Sequence, residues 1–309
     1  MKRMLYRSTF LLLLAVFAIA PSVQAAPGCS NKDFSGVYGM IAKGNILGVI
    51  LPAFNPTIGP VIRVSRVVAD GNGHVQADSN ASYNGFFLHE LFAGTYTILT
   101  DCTIRYDLIV PLPFICASSN NHPACAGGDS FVGVPVPFVF VGSVVEGGAD
   151  IAIALASPNG ATVRVHLQRQ RANPLDAEPV CSLKDLSGIY QVDMDGSVIN
   201  QGPLLAGPFT RAGSLTFDGK GTFSGTTFTN YVYSGAASTE LLTGTYTVAS
   251  GCTFNMTYSL GGHTYGWLGV LTHGGLSANV MVSSPPGAVI GGTLLKGVDV
   301  TSSASQSVR

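Results

Sequence analysis

The chain has 309 residues, 46% of them hydrophobic and only 11% charged, with 38 Gly and 17 Pro. It is too apolar for disorder and too turn-rich for a helical bundle, which leaves all-β as the bulk class. Lys2, Arg3 and Arg7 fall in the first 25 residues, so the remainder carries 13 basic and 17 acidic side chains, a net charge of about −4; cations so few and scattered exclude a nucleic-acid partner held by its phosphates.

Residues 1–25 read as a signal peptide. The three cations form a positive start, Phe10 to Ala20 give an unbroken apolar run, and Val23-Gln24-Ala25 supplies the small residues of a cleavage site. A run of about eleven residues is short for a membrane-spanning helix, so the expectation is export, periplasmic or extracellular. No transmembrane segment is expected in the mature chain, because the apolar stretch 131–145 is broken by Pro135 and Pro137.

The mature chain then says nearly the same thing twice. Cys29-Ser30 with Ser35-Gly36-Val37-Tyr38 returns as Cys181-Ser182 with Ser187-Gly188-Ile189-Tyr190, at an offset of 152. Asp70-Gly71-Asn72-Gly73 returns as Asp218-Gly219-Lys220-Gly221 at 148, and Gly94-Thr95-Tyr96-Thr97 as Gly244-Thr245-Tyr246-Thr247 at 150. Past Cys102 and Cys252 the offset falls to 127, so copy one carries an insertion of about 23 residues before Gly142. The expected organisation is a first β-barrel domain at 29–170 with apolar loops and the insertion, a linker at 171–180, a second barrel at 181–298 and a disordered tail at 299–309.

The same register pairs the six cysteines. Cys29 with Cys102 repeats as Cys181 with Cys252, which leaves Cys116 and Cys125 of the insertion for each other. An exported chain with an even count favours disulfides. A metal site at Cys116, His122 and Cys125 is the rival reading, with a poor ligand pattern; neither metal nor cofactor is expected.

In copy two, β-rich runs between turns fall near 187–194, 209–217, 221–229, 239–249, 252–260, 263–271, 275–283 and 288–296. Eight strands without helical crossovers predict a closed antiparallel up-and-down barrel in each copy, with a two-sheet sandwich as the alternative. Alternation puts Glu90, Phe92, Tyr96 and Ile98 on one face of the fourth strand, as it does Glu240, Leu242, Tyr246 and Val248, while the opposite face is mostly Thr. The fifth strand turns Tyr106 and Leu108, or Met256 and Tyr258, inward, and the seventh turns Ile151 and Ile153, or Leu276, Ala278 and Val280, the same way.

Taken together, the Cys-Ser opening with Ser-Gly-x-Tyr, the Phe217-Asp218-Gly219 strand end, the Gly-Thr-Tyr-Thr segment before Cys-Thr and the closing Ser284-Pro285-Pro286-Gly287 resemble small exported bacterial proteins with a calycin-like barrel. The resemblance implies an eight-stranded barrel of the kind found in lipocalins and avidins, which bind ligands, and in allene oxide cyclase, an isomerase.

Two charges recur on otherwise apolar faces: Glu90 with Glu240, and Arg63 with Arg211. A structural Arg–Glu pair is one reading, since a lone buried charge is costly. The other places these residues at a barrel mouth with Tyr96, Tyr106, Tyr246 and Tyr258, to hold a small apolar ligand or to act as a base. No nucleophile motif and no recurring histidine accompany them. The expected function is therefore a non-catalytic binding or interaction module. A cyclase or isomerase using a barrel Glu and a purely structural envelope protein remain as alternatives. The apolar segments 46–61 and 111–115 of copy one read as loops packed over one end of their own barrel or against copy two, with an apolar lid or a surface for a protein partner as the other reading.

Overall fold

A computed structural model of the chain describes residues 28–47, 58–110, 114–116, 130–131, 136–171, 180–199, 206–231 and 236–297. Copy one contributes β1 (Ser35–Ile46), β2 (Gly59–Asp70), β3 (His74–Tyr83), β4 (Phe86–Ile98), β5 (Thr103–Val110), β6 (Phe114–Cys116), β7 (Ser130–Phe131), β8 (Val136–Val145), β9 (Asp150–Ser157) and β10 (Ala161–Arg169). Copy two contributes β11 (Ser187–Val198), β12 (Gly207–Asp218), β13 (Thr222–Tyr231), β14 (Ala236–Val248), β15 (Thr253–Leu260), β16 (His263–Thr272), β17 (Ser277–Ser284) and β18 (Ala288–Lys296). Strands β11 to β18 form a closed barrel in sequence order, with Val192 opposite Leu294 where the last strand meets the first. The first barrel closes the same way, β10 on β1, and the short β6 and β7 of the insertion hang from β4.

Period-two alternation builds both barrels. Along β12, Phe209, Arg211, Leu215 and Phe217 are buried while Thr210, Ala212, Ser214 and Thr216 are exposed, so one face fills the lumen and the other meets water. Leu276 departs from this pattern: it lies just outside β17, after a short turn, and is 62% exposed instead of facing inward. The hairpin turns need their repeated glycines, with φ of +70° at Gly219 and +112° at Gly221. The Asp218 carboxylate accepts from the backbone N–H of Thr222, Lys220 and Gly221, which holds its pKa down at about 2.

Each barrel is plugged at one end by its own lead-in. A 3-10 turn, Asn31–Asp33 or Leu183–Asp185, is closed by a Ser–Asp capping box and delivers Phe34 or Leu186 into the lumen, 1% and 0% exposed. The Tyr96 hydroxyl donates to the carbonyl of Phe34 at 2.5 Å, and Tyr246 donates to Leu186 at 2.8 Å. Disulfides Cys29–Cys102 and Cys181–Cys252 tie each lead-in to the turn between the fourth and fifth strands of its barrel. Cys125, the expected partner of Cys116, lies outside the described residues.

A third apolar cluster joins the barrels. Ile41, Ile62 and Val64, on the outer face of β1 and β2, pack on Val270, Met281 and Val289 of β16 to β18. Gly291 permits the approach: a Cβ there would lie 2.1 Å from Ile62 Cδ1. Ser82 donates to the Ala288 carbonyl at 2.9 Å, Gly287 N–H to the Gly85 carbonyl at 3.0 Å, and Lys43 both pairs with Asp195 and donates to the Gly291 carbonyl at 2.7 Å. The two barrels are thus held by apolar burial and by matched polar contacts around it.

Candidate functional site

The recurring charges meet inside the barrels. In the first, β2 and β4 flank β3 and bring Arg63 to Glu90, Nη2 to Oε2 at 2.7 Å, while Tyr83 of β3 donates to the other carboxylate oxygen at 2.8 Å and also contacts Arg63. Glu90 is 2% exposed. Burial pushes its carboxyl up, against the pull of Arg63 and Tyr83. Arg63 is held above its ordinary value: burial alone would lower it, and Glu90 and Tyr83 more than offset that.

In the second barrel Arg211, 3% exposed, donates to Glu240 Oε2 at 2.5 Å, to Tyr258 Oη at 2.7 Å and to Thr229 Oγ1 at 3.0 Å. Thr229 donates in turn to Glu240 at 2.8 Å. Phe209, Trp267 and Tyr258 lie around the guanidinium, their ring centroids 5.3, 5.7 and 5.8 Å from its carbon. Burial opposes the Arg211 charge, and Tyr258 and Glu240 restore it, so its pKa is raised.

The other candidate tyrosines stand elsewhere. Tyr96 is six residues from Glu90 along β4, about 20 Å at the rise of a strand, and closes the plugged end, as Tyr246 does in the second barrel. Tyr106 is opposite Tyr96 in register and packs near Phe34 and Phe140. Only Tyr258 joins the charges. The residues that sequence reasoning missed are Tyr83 and Thr229. Tyr83 carried a signal, since it recurs as Tyr231 at the offset of 148 that relates Arg63 to Arg211.

Chemically, these clusters resemble clamps. Both Glu90 oxygens accept hydrogen bonds, and Glu240 is engaged by Arg211, Thr229 and Ser238; a general base needs a lone pair aimed at substrate. Among the described residues no group of three or more His, Cys, Asp and Glu is arranged to hold a metal ion. Cys125 and His122 lie outside the described residues.

Two grooves are lined by described residues. One, of about 730 Å³, runs along the junction of the barrels past Lys43, Arg164, Asp195 and Phe209. The other, of about 470 Å³, crosses the outer face of β8 to β10 and is lined by Val141, Ala152, Ala154, Arg164 and His166 among others. Most of the apolar segment 46–61, and the side chains of the insertion strands, fall outside what the structure describes.

No family model matches the chain, and no curated protein matches it. Among solved structures, the crystal structure of the Myxococcus Xanthus hemagglutinin in complex with a3,a6-mannopentaose is similar over 84% of this chain and 99% of that chain, at 11% identity and a TM-score of 0.14, values at which the likeness carries no argument.

Proposed function

We propose that the protein is an exported, non-catalytic binding module of calycin-like build that recognises its ligand or partner on the outer surface of its barrels. The observation that carries this reading is the buried cluster of aromatic and aliphatic side chains that the described residues form inside each barrel. In the first, Phe34 meets Tyr38 and Tyr96 at ring-centroid distances of 4.8 and 4.7 Å. In the second, Phe217 meets Tyr190, Tyr246 and Phe223 at 5.4, 5.2 and 5.6 Å, and Tyr258 meets Tyr265 and Trp267. An eight-stranded barrel has room for side chains or for one small ligand, and here side chains take the inward positions. The two disulfides fit an oxidising compartment, and no helix among the described residues is long and apolar enough to cross a membrane.

A small apolar ligand fits this reading at the outer groove of β8 to β10. The isomerase alternative loses its base to the Arg–Glu clamps. The purely structural alternative shares the filled lumens and differs in having no ligand at all.

Titration with 8-anilinonaphthalene-1-sulfonate tests the reading. Dye bound by the folded chain should be displaced by Val141→Asp on the outer groove. Saturable uptake of one dye per barrel that survives Val141→Asp would place the site in the lumens and refute it.

A further inference from the structure

The outward face of the second barrel carries a pattern that the clamps and the seam do not use. Along β12 to β15, outward positions from Thr210 to Ser259 are Thr, Ser, Asn and a few apolar residues. The ionisable groups among them stand at one end of the face: Asp218 closes β12, and Lys220 follows in the β12–β13 turn. Two large apolar side chains stand in the middle of this face, Phe228 at 63% and Leu241 at 74% exposure. In register, Phe228 lies between Ala212 and Thr239, and Leu241 lies opposite Thr226. Thr226 and Asn230 are the next outward residues on the strand of Phe228 itself.

Copy one shows that the barrel does not demand this pattern. Its positions corresponding to Thr226, Thr239, Asn255 and Thr257 are Asp78, His89, Arg105 and Asp107, and Asn80 stands where copy two has Phe228. Fold alone therefore does not explain a face with no charge at its centre and an exposed ring there.

We propose that this face of the second barrel binds a neutral carbohydrate, with Phe228 as the platform on which a sugar ring lies. Strand geometry spaces the surrounding hydroxyl and amide groups about 5 Å across strands and about 7 Å along them, the scale of one pyranose ring. Each Thr and Ser hydroxyl donates and accepts, and the Asn amide does both with separate atoms, which matches the mixed donors and acceptors of a saccharide. The apolar underside of the sugar covers Phe228 and Leu241, which water otherwise wets. The outward strand positions around Phe228 hold no Arg or Lys, Lys220 being in the turn at the end of the face, which argues against phosphate, sulfate or uronate as the recognised group. The competing occupant of an exposed Phe–Leu pair is a second copy of the chain, and the test below includes it.

The inference rests on the outer-surface reading and names the ligand class for one surface. Affinity electrophoresis of the full chain through gels containing dextran, glycogen or galactomannan, with hyaluronate as the charged control, tests it. At least one neutral polysaccharide should retard the wild type and hyaluronate should not. Phe228→Ala should weaken the retardation at least about tenfold, a loss of about 1.4 kcal/mol, and Phe228→Trp should preserve it. Leu91→Ala on the first barrel should change nothing. Because Phe228 is largely exposed, thermal melting should report an intact fold in each variant.

No retardation by any of the three neutral polysaccharides, or equal retardation of Phe228→Ala, would overturn the proposal. So would sedimentation showing self-association that Phe228→Ala abolishes, which would give the face to a second copy. These failures leave the outer-surface reading standing, whereas dye bound in the lumens would remove that reading first.

Discussion

Glu240→Gln is expected to destabilise the second barrel by about 3–5 kcal/mol, because it leaves Arg211 charged, buried and without its counter-ion. Thermal melting should register this as a fall of about 10 °C or more in a domain of this size. The neutral amide keeps the shape and some hydrogen bonding, so the loss reports on charge and not on packing. Replacing both partners, Arg211→Met with Glu240→Leu, should recover most of the stability, as removal of a whole buried pair often does. Glu90→Gln is a replicate in the first barrel, with Tyr83 still able to reach Arg63. A loss under about 1 kcal/mol in both single variants would mean that the carboxylates are solvated and free to serve a ligand.

Replacing Cys181 and Cys252 together by Ser should cost about 4 kcal/mol, the chain-entropy value for a bridge spanning 71 residues. Location adds to chain entropy here. The bridge anchors the lead-in that carries Leu186 into the lumen, where the Leu186 carbonyl accepts the Tyr246 hydroxyl. Freeing that lead-in should therefore unplug the barrel end as well as loosen the unfolded chain. Urea unfolding should show a midpoint lowered by about 2 M or more. An unchanged midpoint would show that the plug holds without its tether.

The barrels were legible because most strands alternate and most turns between them are marked by glycine. Where alternation weakened, so did the reading. The run expected at 187–194 continues to Val198 as β11 through Asp195, Gly196 and Ser197, which look like a turn. Gly196 is required there, since a Cβ would lie 2.1 Å from the Val289 carbonyl oxygen of the neighbouring strand.

The candidate site was half legible. Repetition found Arg63, Arg211, Glu90 and Glu240, and alternation turned them inward. Grouping Tyr96 with Glu90 failed because sharing a face of a strand says nothing of distance along it, and six residues separate the two ends of a barrel. The junction between barrels was the least visible feature. Its signal was the apolar character of both faces of β2, with Ile62 and Val64 outward and Val61 and Val67 buried on the other side; a strand apolar on both faces is buried on both.

The central claim is that recognition happens outside two filled barrels. Native mass spectrometry of the protein purified from its own host tests it most directly. The expected result is the protein without a bound small molecule, or with a ligand that is lost when Phe228 or Val141 is replaced while the fold stays intact. A small molecule retained at one copy per barrel, unaffected by either outer substitution and released only on unfolding, would contradict it.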